Sequence, residues 1–136
     1  MYTSSLTTAA THYRQTQVLT ASGVQLIVLL YDSAIQAIEL ASDGITRRHQ
    51  PDKARFLGRA VAIVGELSSV LDFERGGEIA ISLYRLYDYM LSEFTQANLR
   101  NDTRHLDGPL RCLKELRGAW YTVAQQQDQP MSLSRE

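Results

Sequence analysis

The residues with chemical reach in this sequence are few and far apart. His12, His49 and His105 are the three histidines. No Glu-x-x-His pair accompanies them to line a helical bundle with metal ligands. Each reads as a solvated loop or helix-end side chain, so no metal site is expected. Cys112 is the single cysteine, which rules out a disulfide within the chain and a cysteine-based zinc site. Its basic neighbours are Arg111 and Lys114 on a helix, and it reads as a packed or half-exposed thiol. Gly76-Gly77 lacks the G-x-G-x-x-G spacing of a phosphate loop and falls between two helical stretches, so it reads as a helix stop. Arg47, Arg48, Lys53, Arg55 and Arg59 cluster around one turn. They read either as a surface for an acidic partner or as a solvated helix end with Arg47 and Arg48 opposing the helix dipole, and the second reading is preferred. No convergent polar constellation emerges. The chain reads as a non-enzyme with no catalytic residue and no cofactor.

The elements that would position these residues follow from composition and periodicity. The chain has 136 residues, 44% of them hydrophobic and 21% charged, with a net charge of −1. This is an ordinary globular composition, with room for one domain and a real core. The balance lacks the basic excess of a general nucleic-acid or anionic-membrane binder. The longest apolar run, Leu26 to Tyr31, is far too short to span a bilayer. No charged start followed by an apolar region marks a secretion signal, so a cytoplasmic location is expected.

Residues 1–21 are polar and β-branched and read as a mobile arm. Ser22-Gly23-Val24-Gln25 has the form of a capping box, and helix 1 is expected from there to about Arg48, with Ile27, Tyr31, Ala34, Ile38, Ala41 and Ile45 on one face. Pro51 is expected at the first position of helix 2, whose stripe of Phe56, Leu57, Ala60, Ile63, Val64, Leu67 and Leu71 runs towards Glu74. Gly76-Gly77 then stops it. Helix 3 is expected from near Glu78 to near Asn101, with a core stripe of Ile79, Leu83, Leu86, Met90, Phe94 and Ala97. Helix 4 repeats Leu106, Leu110, Leu113, Leu116, Trp120 and Val123. Pro109 lies either in the first turn of a helix capped by Asp107, with a short helical turn before it, or at a kink in a helix begun at Asp102. The first is preferred. The polar tail 125–136 is expected to be disordered. The fold class is therefore all-α, an antiparallel four-helix bundle over residues 22–124.

Helix 3 is the informative element. Ala80, Tyr84, Tyr87 and Leu91 project beside its core stripe and widen the apolar arc to about 160°. Tyr84, Tyr87, Tyr89 and Tyr121 put four of the seven tyrosines on helices 3 and 4. Tyrosine offers rigid apolar area with one polar tip, which suits a surface bare alone and covered in a complex. The alternative is that helices 2 and 4 bury the whole arc.

At Leu86-Tyr87-Asp88-Tyr89-Met90 the sequence resembles the flagellar secretion chaperone family, FliS. The resemblance extends from about Tyr13 to Trp120. It takes in Leu19-Thr20-Ala21-Ser22, Leu30-Tyr31-Asp32, Ala34-Ile35, Glu66-Leu67 and Leu71-Asp72. Gly76-Gly77, Ile79-Ala80, Ala97-Asn98, Asp102, Leu113, Leu116-Arg117 and Ala119-Trp120 complete the ordered set. The family often has proline at the position of Gly23 and glycine at that of Ser33, and Gly108-Pro109 is unexpected in the fourth helix.

The resemblance implies a cytoplasmic helical bundle that binds the C-terminal segment of flagellin, prevents its premature polymerisation and delivers it to the flagellar type III export apparatus. A component of the export gate is a further implied partner. The N-terminal arm around Tyr13 is implied to cover the groove in the absence of flagellin. The flagellin contact surface is expected at Ala80, Tyr84, Tyr87 and Leu91, with Val28 as a weaker member, and Tyr13 as the displaceable plug. An uncovered groove can pair with itself, so the free chain is expected as a monomer or weak homodimer. The competing reading is another bundle adaptor or regulator of the same export system with a different client.

Overall fold

A computed structural model describes residues 21–127. The arm, with Tyr13, lies outside the described residues apart from Ala21, as does the tail beyond Gln127. Within them the chain is all-α: α1 Ala21–Thr46, α2 Gln50–Ser69, α3 Phe73–Arg100, a 3-10 turn Thr103–Leu106 and α4 Asp107–Gln127. Consecutive helices are joined by a few residues and fold back on one another as an antiparallel bundle.

Each helix carries a buried stripe at alternating three- and four-residue steps, the spacing that lets helices pack side by side with interlocking side chains. On α1 it is Tyr31, Ala34, Ile38, Ala41 and Ile45, and on α2 Leu57, Ala60, Val64 and Leu67. On α3 it is Ala80, Leu83, Tyr87, Met90, Phe94 and Ala97, and on α4 Leu113, Leu116, Trp120 and Val123. α1 packs against α2 and α4, and α3 packs mainly against α2 and the 3-10 turn.

The helix ends explain where the expected boundaries move. α1 stops at Thr46 because Arg48 takes φ 58°, and the His49 and Arg48 amides bond back to the Gly44 and Ile45 carbonyls. This is the paired bonding of a Schellman end. α2 starts at Gln50, one residue before Pro51, because His49 is its cap: the imidazole Nδ1 accepts from the Asp52 amide at 3.2 Å. α2 ends at Ser69, five residues short of the expected Glu74. Asp72 takes over as the cap of α3, its carboxylate accepting from the Arg75 amide at 3.1 Å. Gly76-Gly77 therefore does not terminate α2. It lies inside the start of α3, where Gly77, at φ 52° and ψ −126°, kinks the helix in a conformation that disfavours any residue with a Cβ.

The α3–α4 junction takes the preferred form. Asp102 caps the 3-10 turn, accepting from the Arg104 amide at 2.9 Å. Pro109 sits in the first turn of α4, where its missing N–H leaves no bond unmade. Gly108 is required there by contact, since a Cβ at this position would stand 2.0 Å from the Tyr89 hydroxyl.

Candidate client-binding face

Of the four tyrosines on helices 3 and 4, Tyr87 is buried completely. Its hydroxyl is hydrogen-bonded to that of Tyr31, across the bundle centre. Burial pushes the Tyr31 phenol up to about 12, offset in part by hydrogen bonds from Tyr87 and Trp120. Ala80 is buried too. These two members of the expected contact surface are core residues in this structure. The reason is the heptad: counted from Leu83 and Met90, positions 80 and 87 fall on the inward face rather than beside it.

Tyr84 and Leu91 fall differently. Tyr84 is 47% exposed and Leu91 half-buried. Together with Asp88 and Thr95 they follow the four- and three-residue steps of one helix face. Thr95 lines a groove of about 350 Å³ between α2 and α3. The α2 side of that groove is small or short: Ala54, Gly58 and Val61. Around a Cβ added at Gly58 there is no atom within 4 Å. Across from it Leu99 is 70% exposed. At the other end of the same α3 face, Phe73 touches Tyr84 edge-on, with ring centroids 5.9 Å apart, because the Gly77 kink turns the first turn of α3 back towards it. Ile81 and Val70 are exposed nearby in sequence.

Val28 does not join this face. Asp32, one turn further along the same side of α1, receives a hydrogen bond from Arg117 of α4 at 2.6 Å. Val28 therefore sits on the α4 side of the bundle, away from the α2–α3 groove. Leu99, Val61 and the floor of Ala54 and Gly58 escaped the sequence reading. The signal for the floor was present as small or short residues at steps of four and three, Ala54, Gly58 and Val61, offset from the core stripe of the same helix.

The basic cluster is largely consumed by structure. Arg47 pairs with Asp43 and Asp52, each at 2.8 Å. Lys53 is buried, and its ammonium donates to the Asn98 carbonyl and the Asn101 side chain. Arg55 stacks its guanidinium 5.0 Å over the Phe56 ring. Among the described residues no carboxylate pairs with Arg55 or Arg59. Cys112 is half-buried, and burial followed by the Glu115 charge pushes its thiol up, away from nucleophilic character. His105 bonds Glu93 at 3.0 Å and pins the 3-10 turn to α3. Among the described residues no group of three or more His, Cys, Asp or Glu side chains could hold a metal ion. No helix there is long and apolar enough to cross a membrane.

A bundle that leaves an aromatic and aliphatic strip beside a small-residue floor is built to cover another chain. The comparisons with known proteins agree with that character. The family model described as flagellar protein FliS matches residues 6–127. This chain belongs to the FliS family. It is 38% identical over 106 residues to the flagellar secretion chaperone FliSB of Pseudomonas aeruginosa, covering 78% of this chain and 84% of that one. It is 36% identical over 111 residues to the flagellar secretion chaperone FliS of Salmonella typhimurium, covering 81% and 82%. The FliS of Vibrio cholerae is 35% identical over 104 residues, covering 76% of each. As a member of a secretion-chaperone family, the chain has a flagellar client to accommodate, and the α2–α3 face is its barest apolar strip.

Proposed function

We propose that this FliS-family chain is a cytoplasmic chaperone that holds the C-terminal segment of flagellin on the face between α2 and α3. Holding keeps the segment from polymerising until the chain passes it to the flagellar type III export apparatus. The observation that carries this reading is the strip of Tyr84, Leu91 and Leu99 facing the floor of Ala54 and Gly58. A disordered client that folds on docking loses about 2–5 kcal/mol or more in ordering, and a long apolar strip supplies the compensating burial. No nucleotide or cofactor enters, because the act is binding and release. Tyr84 and Leu91 remain in the proposed contact set. Ala80 and Tyr87 leave it as core residues, and Val28 leaves it because it faces α4. Tyr13, on the arm, is the proposed plug of the same face.

The test is size-exclusion co-elution with flagellin and with flagellin lacking its last ~40–50 residues, a length sized for a helix-in-groove client. Full-length flagellin is expected to co-elute and the truncated form to elute alone. Tyr84→Asp and Leu91→Asp should lose binding with helical circular dichroism retained. Folded variants that bind normally would move the contact surface elsewhere.

A further inference from the structure

The α2–α3 face also carries a charge gradient along its length. At the end where α2 begins and α3 finishes, Arg55 and Arg59 are exposed and have no carboxylate partner among the described residues. At the other end, Glu66 of α2 and Asp88, Glu74 and Glu78 of α3 are exposed, and they outnumber Arg75 and Arg85 there. The gradient runs parallel to the helices, because α2 and α3 are antiparallel and Ala54 lies opposite Asn98 and Leu99 in the groove.

The occupant's backbone is constrained as well. Two packed helices offer no free row of N–H and C=O groups, so an extended strand laid here would bury unpaired backbone polar groups. A helix satisfies its own. The small floor of Ala54 and Gly58 admits large side chains from such a helix at ordinary interaxial distances of about 8–10 Å. From Ile81 to Leu99 the strip measures about 27 Å at 1.5 Å per residue, enough for a helix of about 18 residues.

We infer that the α2–α3 groove seats one amphipathic α-helix of the client in a fixed direction, its C-terminal end over Arg55 and Arg59 and its N-terminal end over Glu66 and Asp88. This inference rests on the proposed client role of the face. A helix carries roughly half a negative charge at its C-terminus and half a positive charge at its N-terminus. Both ends therefore meet groups of opposite sign in this direction, and both meet like charge in the reverse one. The docked helix runs parallel to α3. Acidic residues in its last turns strengthen the match to the two arginines, which are positioned by α2 one turn apart.

The test maps direction rather than binding alone. A photocrosslinking residue, p-benzoylphenylalanine, is placed at Leu99 in one variant and at Ile81 in another, both solvent-exposed positions. Each full-length variant is checked for helical circular dichroism, mixed with the purified flagellin C-terminal segment, irradiated and mapped by mass spectrometry. Adducts from position 99 are expected towards the C-terminal end of a client helix, and adducts from position 81 towards its N-terminal end. The opposite order overturns the inference while leaving the client role intact. So does a lack of adducts from both positions when binding persists. Failure of the unmodified chain to bind the segment removes the client role and the inference together. As an independent measurement, Arg55→Glu with Arg59→Glu should weaken binding about tenfold at low salt, with the difference shrinking as salt rises and screens exposed charges. A charge-reversed pair that binds as the parent does would also overturn the inference.

Discussion

The Lys53 ammonium donates to the Asn101 side-chain oxygen at 2.6 Å and to the Asn98 carbonyl at 3.1 Å, so that the first turn of α2 closes the last turn of α3. Lys53 is only 4% exposed. No carboxylate pairs with it among the described residues, and its counter-charge is the negative end of α3 and an orphan carbonyl of that helix. Asn101 holds φ 49° and ψ 47°, the left-handed conformation that ends α3 and aims its side chain at the lysine.

Removing this cation should therefore be felt at the α3 end. Lys53→Met keeps the apolar stem and loses the donor, leaving the Asn98 carbonyl unsatisfied in a half-buried site. The expected cost is about 2 kcal/mol, a fall of roughly 8 °C in thermal midpoint for a domain this size. Asn101→Gly should cost less, because glycine keeps the positive φ and the ammonium keeps the carbonyl. Urea titration of the three chains checks the order. A Lys53→Met variant as stable as the parent would mean that the buried lysine contributes nothing net to the α2–α3 joint.

The Tyr31–Tyr87 hydroxyl pair yields a pH prediction. The Tyr31 phenol is raised from 10.0 to about 12 by burial, so the folded state keeps its proton where the unfolded state has lost it. The stability that this group supports is complete below pH 10 and falls as pH rises towards 12, by about 1.4 kcal/mol per unit. Tyr31→Phe should flatten that alkaline limb. At neutral pH, Tyr31→Phe or Tyr87→Phe alone strands a buried hydroxyl at a cost of about 1–2 kcal/mol, and the double variant should recover part of it. Chemical unfolding of the four chains at pH 7 and across pH 9–11 reads both effects. An unchanged alkaline limb in Tyr31→Phe would contradict the assignment.

Much of the bundle was legible because its signal is periodic. The core stripes of α1, α2 and α4 recur at three- and four-residue steps, and Asp107 with Pro109 marked the start of the last helix. Two features were not legible for local reasons. Asp72 looks like the polar end of α2 until its carboxylate is seen accepting from Arg75, and Gly77 looks like a stop because sequence does not separate a helix end from a kink. On α3, a wide apolar arc admits two inward faces about 20–40° apart. Tyrosine fits either one, so Tyr87 was read as surface. Only the facing hydroxyl of Tyr31, 56 residues away, decides it. The groove floor was missed because a glycine in a helix reads as a flaw rather than as space.

Glycines in this chain divide by what surrounds them, and alanine substitution should separate them in sign. A Cβ on Gly44 would lie 2.9 Å from the Lys53 backbone nitrogen and 3.3 Å from the Asp52 carbonyl carbon. α1 and α2 meet there backbone to backbone, and neither can give way cheaply. Gly44→Ala should destabilise by about 1–3 kcal/mol. Gly118, exposed on α4 with no neighbour within 4 Å, should gain up to about 1 kcal/mol on Gly118→Ala from helix propensity alone. Thermal melts of the two variants should move in opposite directions. A shared direction would mean that the α1–α2 turn is looser than its contacts indicate.

Gly58 joins stability to binding most directly. It is exposed within α2, its missing Cβ meets no atom within 4 Å, and it forms the groove floor opposite Thr95 and Leu99. For the isolated chain, glycine here is a cost of about 0.8–1.0 kcal/mol relative to alanine, and its presence makes sense if the space is reserved for a client side chain. Gly58→Leu should therefore raise the thermal midpoint slightly while its side chain fills the groove against Val61 and Leu99. Binding of the flagellin C-terminal segment should fall at least tenfold, about 1.4 kcal/mol. Gly58→Ala should give the stability gain with much smaller loss of binding. Calorimetric titration alongside the melts decides the matter: a Gly58→Leu chain that is more stable and binds undiminished would place the client off the α2–α3 face.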